Sequence, residues 1–184
     1  MLEKILQLDK ELLIFLNGLG SETYDGLWLL ITKQLNWAPL FLLIFYLLQK
    51  KIGWRNFGFY ILFTALLILV CDQTSNLFKW YFHRLRPCND ETVNHIIRVV
   101  KTSPSFSFFS GHAANSMAST IFTFMILKKY YKYTYLLFLF PLIFAYSRIY
   151  LGLHFPSDIL TGYAFGAAFG FICYKLYQKY VLKN

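Results

Sequence analysis

The sequence predicts an all-α membrane protein, a polytopic bundle of five to six helices with an N-terminal amphipathic helix at the membrane interface. Of its 184 residues, 57% are hydrophobic and only 15% are charged, whereas soluble domains are ~45–50% apolar and ~25% charged. A soluble fold of this length could not bury so much apolar surface. The composition therefore excludes a disordered chain, a collagen-like repeat and an ordinary soluble enzyme. We expect one domain over residues 1–184, because domains usually contain ~100–200 residues.

Residues 1–17 have the pattern of an amphipathic helix. The apolar positions recur at helical spacing: Leu2, Ile5, Leu6, Leu12, Leu13 and Leu16. The polar positions fall on the other side: Glu3, Lys4, Gln7, Lys10 and Glu11. Such a helix is better suited to lying in the membrane interface than to crossing it. A short, imperfect first span is the alternative.

Five apolar stretches are candidates for membrane-spanning helices, which need ~20 mostly apolar residues. They cover about 26–48, 57–79, 112–127, 134–151 and 158–180. Gly53 marks the turn between the first two spans. The longest stretch without apolar character, about 84–111, separates the second span from the third.

The last predicted span carries three glycines at intervals of four: Gly162, Gly166 and Gly170. Small residues at this spacing let another helix approach closely. That helix can belong to the same chain, or the glycines can form the contact of a homodimer.

Polar residues gather at the ends of four predicted spans. Five of them share one helix face at the end of the second span: Asp72, Asn76, Lys79, His83 and Arg86. Three more stand where the third span begins: Ser110, Gly111 and His112. The junction of the fourth and fifth spans carries the last group: Ser147, Arg148, His154 and Asp158. Because these ends lie on the same membrane face, the three groups can converge at one site.

Asp72 and Arg84, which lie near the end of the second predicted span, have charged side chains that need a separate explanation. Ionisable groups inside a bilayer cost at least ~2.5–3.5 kcal/mol each on insertion scales. Asp72 lies two turns below Lys79, so we expect it to face the bundle interior and, with Asn76, to support Lys79. Arg84 fits a side chain that snorkels at the helix end.

The converging residues have the chemistry of a phosphate site. Lys79, Arg86 and Arg148 are cations that match a phosphate dianion, and arginine can bind it bidentately. Ser110 and Gly111 stand where a helix begins, and the free backbone amides there attract anions. Two histidines allow one nucleophile and one general acid. Few carboxylates accompany them, so we expect neither a metal ion nor another cofactor.

Three motifs stand in order along residues 79–158: Lys79-x6-Arg86-Pro87, Ser110-Gly111-His112 and Ser147-Arg148-x5-His154-x3-Asp158. Together they resemble the type 2 phosphatidic acid phosphatase family, which shares its active site with the vanadium-dependent haloperoxidases. One motif alone is a weak signal, whereas three in order at these spacings are specific. One position departs from the family pattern, because Phe109 stands where proline usually precedes Ser-Gly-His.

The resemblance implies a role for each residue of the site. His154 attacks phosphorus and forms a phosphohistidine, Asp158 orients His154, and His112 protonates the leaving oxygen. Water then hydrolyses the intermediate, and no metal is implied. The phosphoryl oxygens are held by five residues: Lys79, Arg86, Ser110, Gly111 and Arg148.

The expected substrate is a lipid phosphate, because a phosphate pocket at the membrane face can bind a head group while the tail stays in the bilayer. We favour undecaprenyl diphosphate, because the chain is short and shows no extra domain. Phosphatidylglycerol phosphate, phosphatidate and a lipid A phosphate are alternatives, as is phosphoryl transfer to another lipid. A non-catalytic lipid-binding or transport protein would also need cations, but not the His154–Asp158 pair opposite His112.

The net charge of +9 predicts how the protein lies in the membrane. Nine basic residues and no acid lie on the face away from the site: Lys50, Lys51, Arg55, Lys128, Lys129, Lys132, Lys175, Lys179 and Lys183. In the other half, basic and acidic residues cancel. By the positive-inside rule the basic face is cytoplasmic. We therefore expect an inner (plasma) membrane protein of the cell envelope with an extracytoplasmic site.

Overall fold

The computed structural model describes residues 2–182, and every regular element in that range is helical. The six α-helices are α1 Leu2–Gly18, α2 Asp25–Ile31, α3 Ala38–Phe82, α4 Gly111–Leu127, α5 Leu139–Tyr150 and α6 Pro156–Tyr177. Short 3₁₀ turns precede α2, α3 and α5 and follow α3, and a π-helical turn, Gln178–Leu182, follows α6. This architecture confirms the predicted helix bundle.

The first predicted span, about 26–48, is divided in the structure. α2 ends at Ile31, a 3₁₀ turn follows, and α3 begins at Ala38. The indole N–H of Trp37 donates to the carbonyl of Ile31 at 2.8 Å, and the side-chain amide of Asn36 donates to the carbonyl of Leu30 at 2.7 Å. The end of a helix leaves such carbonyls without helical partners. These two side chains satisfy them, so the helix can end there.

α3 contains two helical arms that meet at Gly53. This residue has a φ of 75°, a left-handed value that glycine adopts without strain. The ring of Phe45 lies 5.7 Å from the ring of Phe57 and 6.3 Å from the ring of Tyr60. Positions 45 and 60 of a straight helix would be about 22 Å apart. The chain therefore turns back at Gly53, as the sequence predicts, and the two arms pack side by side.

Two helical stretches of the described chain are long and apolar enough to cross a membrane: Gln34–Asn89, which contains both arms of α3, and Pro156–Leu182. Thr134–Tyr150 is a shorter apolar stretch. Their large apolar side chains remain exposed on the outside of the bundle, among them Leu42, Leu62, Leu69, Leu160 and Ile172. Apolar surface on this scale is suited to contact with lipid tails rather than water.

α4 and α6 pack closely through the glycines of the last span. A Cβ atom added at Gly166 would lie 2.4 Å from the carbonyl oxygen of Ala114 on α4. A Cβ atom added at Gly162 would lie 2.6 Å from the carbonyl oxygen of Ser110, the residue before α4, and one added at Gly170 would lie 2.5 Å from that of Ala118. Only a residue without a side chain allows such an approach. The glycine face therefore packs against α4 of the same chain, which is the first of the two alternatives that the sequence left open.

α1 packs one face against α5 and α6 and exposes an apolar stripe. Leu13 and Asn17 are fully buried, and the Asn17 side-chain amide donates to the carbonyls of Ile149 and Tyr150 at 3.1 and 2.9 Å. The exposed stripe is formed by Ile5, Leu8, Leu12 and Phe15. A helix bound to the bundle on one side, with an apolar stripe left free, suits the predicted position at the membrane interface.

Candidate active site

The loop between α5 and α6 carries His154, which is almost fully buried. The loop turns at Gly152, whose φ is 76°, and the Gly152 carbonyl accepts a hydrogen bond from the backbone N–H of Cys88 at 3.0 Å. The backbone N–H of Leu153 donates to the carbonyl of Arg148 at 2.9 Å. These bonds tie the loop to α5 and to the segment after α3, and so determine where His154 lies.

The two ring nitrogens of His154 have different partners. Nδ1 lies 3.3 Å from Oδ2 of Asp158, and Nε2 lies 3.0 Å from Nη1 of Arg86. A guanidinium group can only donate hydrogen bonds, so Nε2 is the acceptor and the ring proton lies on Nδ1. Burial lowers the pKa of His154 to about 4, although the hydrogen bond to Asp158 opposes the shift. The imidazole is therefore neutral at neutral pH, with a lone pair on Nε2.

Asp158 stands in the first turn of α6 and is fully buried. Its Oδ2 accepts hydrogen bonds from the backbone N–H of Phe155 at 2.9 Å and from the Ser107 hydroxyl. Its Oδ1 accepts a hydrogen bond from Nη1 of Arg84 at 2.8 Å. A buried carboxylate is costly unless it is paired and hydrogen-bonded. These donors, together with Nδ1 of His154, meet that requirement.

Arg86 is buried and is held in one orientation. Its Nε donates to the carbonyl of Ser105 at 2.8 Å, and its Nη2 donates to the hydroxyl of the same residue at 2.9 Å. Its Nη1 donates to the carbonyl of Leu153 at 2.9 Å and also contacts His154. Because all three nitrogens have partners, the plane of the guanidinium group is set beside the histidine.

α4 begins beside the first turn of α6. The backbone N–H of Ser110 donates to the carbonyl of Asp158 at 3.1 Å, which holds the two helix starts together. The Ser110 hydroxyl accepts a hydrogen bond from the backbone N–H of Ala113 at 3.4 Å, so its own proton is left to donate. Amides in the first turn of a helix have no carbonyl partner within the helix. Gly111 and His112 therefore present backbone N–H groups at this end of α4.

Phe109 holds the entry to α4 at the position where the resembled family has proline. Its side chain is fully buried and stacks on the ring of Phe165 at 4.8 Å. Its carbonyl accepts a hydrogen bond from the Ser75 hydroxyl at 3.0 Å. Packing against α6 and a hydrogen bond from α3 thus anchor the residue before Ser110.

Lys79, His112 and Arg148 complete the set of predicted site residues. The His112 ring stacks on Phe144 at 5.4 Å, and the charges of Lys79 and Arg148 act on His112. Nη1 of Arg148 donates to the Thr32 hydroxyl at 2.6 Å, while its buried Nε has no partner among the described residues. Lys79 likewise has no ion-pair partner in the part of the chain that the structure describes. Both cations therefore retain donors for a ligand.

Some of the predicted site residues are linked by hydrogen bonds, whereas others interact with the site only at longer range. Hydrogen bonds link Arg86, His154, Asp158 and the backbone of Ser110, which Gly111 follows. Lys79 and Arg148 interact with this group through their charges, and His112 lies within reach of the charges of Lys79, Arg86 and Arg148. Within residues 2–182, no three His, Cys, Asp or Glu side chains form a group that could hold a metal ion.

The structure corrects the interpretation of Arg84. Its guanidinium group does not snorkel to the interface, because it pairs with Asp158 at 2.8 Å and with Asp9 at 2.7 Å. Asp9 lies on α1 and is buried. The two partners are 74 and 75 residues from Arg84 in the sequence, so no local pattern could have identified them.

Three hydroxyl side chains that support the site were not among the predicted site residues. Ser107 contacts Asp158, Ser105 contacts Arg86, and Thr32 contacts Arg148. Each of the three hydroxyls thus contacts a residue that the sequence had predicted for the site. Only Ser107 has a sequence signal, since it stands three residues before Ser110 in the same polar cluster.

Asp72 and Asn76 were expected to support Lys79, but in the structure neither is hydrogen-bonded to it within the described residues. Oδ1 of Asp72 accepts a hydrogen bond from the side-chain amide of Asn115 on α4 at 2.7 Å. Asp72 acts on Lys79 through its charge rather than through a hydrogen bond. Asn76 is exposed and takes no part in this contact.

Comparison with protein families matches residues 53–182 to the PAP2 superfamily. Lipid A 4'-phosphatases of Bacteroides thetaiotaomicron and Porphyromonas gingivalis are 32% and 31% identical to the chain. These alignments cover 97% and 96% of this chain and 81% and 75% of the relatives. An undecaprenyl-diphosphatase of Sulfolobus acidocaldarius is 24% identical, over 95% of this chain and 81% of its own length.

Among solved structures, the chain is similar to a transmembrane PAP2 type phosphatidylglycerolphosphate phosphatase from Bacillus subtilis. The TM-score is 0.74 at 19% identity, over 96% of this chain and 88% of that one. This likeness establishes the shared fold. The family match covers more than half of the chain and includes all three sequence motifs. The chain therefore belongs to the PAP2 superfamily and is a membrane lipid phosphatase of that family.

Proposed function

We propose that this phosphatase hydrolyses a lipid phosphate through a phosphohistidine on His154. The observation that carries this proposal is the state of the His154 ring. Its Nδ1 proton is directed at Asp158, and its unprotonated Nε2 accepts a hydrogen bond from Nη1 of Arg86 at 3.0 Å. A nucleophile held in its reactive tautomer beside a phosphate-binding cation suits attack on phosphorus.

The proposed reaction has two steps. Nε2 of His154 attacks phosphorus and the bond from phosphorus to the lipid oxygen breaks. His112, which is protonated when the negatively charged phosphate is bound beside it, gives its proton to that oxygen. Asp158 stabilises the positive charge that develops on the phosphorylated imidazole. In the second step His112 takes a proton from water, the hydroxyl oxygen attacks phosphorus, and the bond to Nε2 breaks. Inorganic phosphate leaves and both histidines return to their starting states.

Five residues are proposed to hold the phosphoryl oxygens as charge develops: Lys79, Arg86, Ser110, Gly111 and Arg148. Electrostatic stabilisation of this kind often supplies the largest part of catalysis. Arg86 already lies beside the nucleophilic nitrogen, so an oxygen bound to Arg86 brings phosphorus close to Nε2. The Nε of Arg148, which has no hydrogen-bond partner within residues 2–182, supplies a further donor.

For the substrate, we propose a phosphate monoester on lipid A. Two relatives named lipid A 4'-phosphatases exceed 30% identity over nearly the whole chain, and this similarity supports the assignment. Undecaprenyl diphosphate, which the sequence alone favoured, is the second candidate, supported by the more distant relative at 24% identity. Both lipids place a phosphate group at the membrane surface.

A substrate panel tests this assignment. The purified protein in liposomes is offered lipid A carrying both phosphates, undecaprenyl diphosphate, phosphatidylglycerol phosphate or phosphatidate, with His154→Ala as the blank. We expect the highest kcat/KM for lipid A, by about tenfold, a difference of roughly 1.4 kcal/mol in transition-state binding. A higher value for undecaprenyl diphosphate would reverse the order of the two candidates.

The same panel separates the remaining alternatives. Hydrolysis yields inorganic phosphate, whereas transfer yields a newly phosphorylated lipid in the same vesicle. A non-catalytic lipid-binding protein would bind these lipids and release no phosphate from any of them. That result would overturn the proposed function.

We further propose that the site faces the extracytoplasmic side of the inner (plasma) membrane. The described part of the opposite face is rich in lysine, and several lysines lie over aromatic rings, as at Lys50 over Tyr46 and Lys175 over Phe171. An excess of lysine is typical of the cytoplasmic side, whereas aromatic residues are enriched at both membrane boundaries. Lys183, which belongs to the same basic set, lies outside the described residues.

Cysteine labelling tests the orientation. The three native cysteines are buried, so a membrane-impermeant maleimide should give little background. Glu91 on the site face and Lys129 on the opposite face are both exposed. In sphaeroplasts we expect Glu91→Cys to be labelled at once and Lys129→Cys only after permeabilisation. The reverse pattern would place the site in the cytoplasm.

A further inference from the structure

A network of three charged residues connects α1 to the candidate active site. Nη2 of Arg84 donates to Oδ2 of Asp9 at 2.7 Å, and Nη1 of Arg84 donates to Oδ1 of Asp158 at 2.8 Å. Asp9 is 7% exposed and Asp158 is fully buried. One guanidinium group therefore compensates two buried carboxylates, of which one belongs to the proposed catalytic machinery.

The contact with Arg84 determines how the Asp158 carboxylate is turned. Oδ1 is bound to Arg84, so Oδ2 is the oxygen left for His154, the backbone N–H of Phe155 and the Ser107 hydroxyl. Without Arg84, Oδ1 would lose a charged donor inside the protein. The carboxylate could then rotate, and the hydrogen bond that keeps the His154 proton on Nδ1 would weaken.

Arg84 is itself held from three sides. Its guanidinium group lies 4.0 Å from the centroid of the Phe155 ring, and its Nη1 also donates to the Ser157 hydroxyl at 2.8 Å. Asp9 holds the other end of the group through Oδ2. Oδ1 of Asp9 accepts a hydrogen bond from the backbone N–H of Ser157 at 2.8 Å, which attaches α1 to the first turn of α6.

We propose that Arg84 and Asp9 are positioning residues for the His154–Asp158 pair. Arg84 sets the orientation of Asp158, and Asp9 acts through Arg84. α1 is then a working part of the enzyme as well as an interfacial helix. This inference rests on the proposed phosphohistidine reaction. Neither residue contacts Nε2 of His154, where the substrate would bind, so their loss should lower kcat while leaving KM nearly unchanged.

Three variants test the proposal: Arg84→Gln, Asp9→Asn and the double variant. We expect Arg84→Gln to lower kcat by about 10–100-fold, by analogy with the loss of outer-shell partners that orient metal-bound histidines, with KM changed less than about twofold. Asp9→Asn keeps an oxygen for the Ser157 N–H and should lower kcat by roughly 3–10-fold. The double variant should resemble Arg84→Gln alone, because residues that act through one another are not additive.

A matched ion pair on the same face serves as the control. Arg98 pairs with Asp25 at 2.9 Å and is 28% exposed in its side chain, close to the 22% of Arg84. The ion-pair partner of Arg98 is Asp25 rather than Asp158. Arg98→Gln should therefore lower the thermal midpoint in detergent and leave kcat unchanged.

Arg84→Lys should recover part of the lost kcat, since a single ammonium can bind Asp158 but cannot bridge both carboxylates as a guanidinium does.

The outcomes separate the inference from the function on which it rests. A kcat for Arg84→Gln within twofold of wild type would overturn the inference, as would a double variant whose loss is the product of the single losses. If Arg84→Gln does not fold, the kcat of Asp9→Asn decides, and a value equal to wild type overturns the inference. Activity in His154→Ala, assayed in parallel, would instead overturn the proposed function.

Discussion

His154→Ala should lower phosphate release from the lipid substrate by about 10⁴–10⁶-fold, the range expected when a catalytic nucleophile is removed. Alanine has no atom that can attack phosphorus, so the covalent route is lost. The remaining cations still bind phosphate, because Arg86 keeps its bonds to Ser105 and Leu153. We therefore expect the variant to bind the lipid nearly as wild type does. Release of inorganic phosphate from liposomes at saturating substrate measures the effect.

Chemical quenching gives a direct measurement of the intermediate. Wild-type protein mixed with a substrate labelled in its phosphate should carry label within the first turnover, in a bond that acid breaks and alkali spares. His154→Ala should carry none. His95→Ala is the matched control, because His95 is exposed and its Nδ1 contacts only the carbonyl of Glu91. Full activity in His154→Ala would sink the mechanism.

The companion variant His112→Ala separates the general acid from the nucleophile. Loss of a general acid typically costs 10²–10⁴-fold. The loss should be large for a lipid alkoxide, which needs a proton to leave. It should be much smaller for p-nitrophenyl phosphate, whose leaving group is stable as an anion. Equal losses on both substrates would contradict the role assigned to His112.

Arg86→Ala should lower kcat/KM by about 10²–10³-fold, the usual effect of removing one donor to a developing oxyanion. Nη1 of Arg86 contacts the nucleophilic nitrogen, at 3.0 Å from Nε2. Arg86→Lys should recover little of this loss, because an ammonium group keeps the charge but cannot bind Ser105, Leu153 and a phosphoryl oxygen in one plane. Initial rates over a range of lipid concentrations measure both variants.

The control for this prediction lies on the opposite face. Arg55→Ala removes an exposed arginine far from the site in sequence and should leave kcat/KM unchanged. The thermal midpoint of each variant shows whether a loss of activity reflects a loss of folded protein. An Arg86→Lys enzyme with wild-type kcat/KM would show that charge alone is needed, which would contradict the proposed geometry.

Most of the fold could be predicted from the sequence, because the bilayer limits what a chain of this composition can do. Every spanning segment must satisfy its own backbone hydrogen bonds, so long apolar stretches become helices. The prediction was less accurate where local bonds decide the ends of helices. The first span is divided after Ile31 because Asn36 and Trp37 satisfy carbonyls that the continuing helix would have used.

The family could also be predicted from the sequence, because three motifs carry residues whose types and order are specific. The match over residues 53–182 confirms that resemblance. The roles of His154, His112 and the phosphate-binding residues remain predictions. Undecaprenyl diphosphate, the substrate that the sequence favoured, is not confirmed. The selection of a head group depends on contacts that motifs common to a family do not encode.

The sequence by itself determined the fold class, the family and the residues able to carry the chemistry, because these depend on composition and on local spacing. Only the tertiary structure decided how those residues are supported. The glycines of α6 pack against α4 of the same chain, and Arg84 joins Asp9 to Asp158. The physical reason is that a buried charge, or the exposed backbone of a glycine face, pairs with a group that only the folded chain brings close. That partner can be 75 residues away in the sequence.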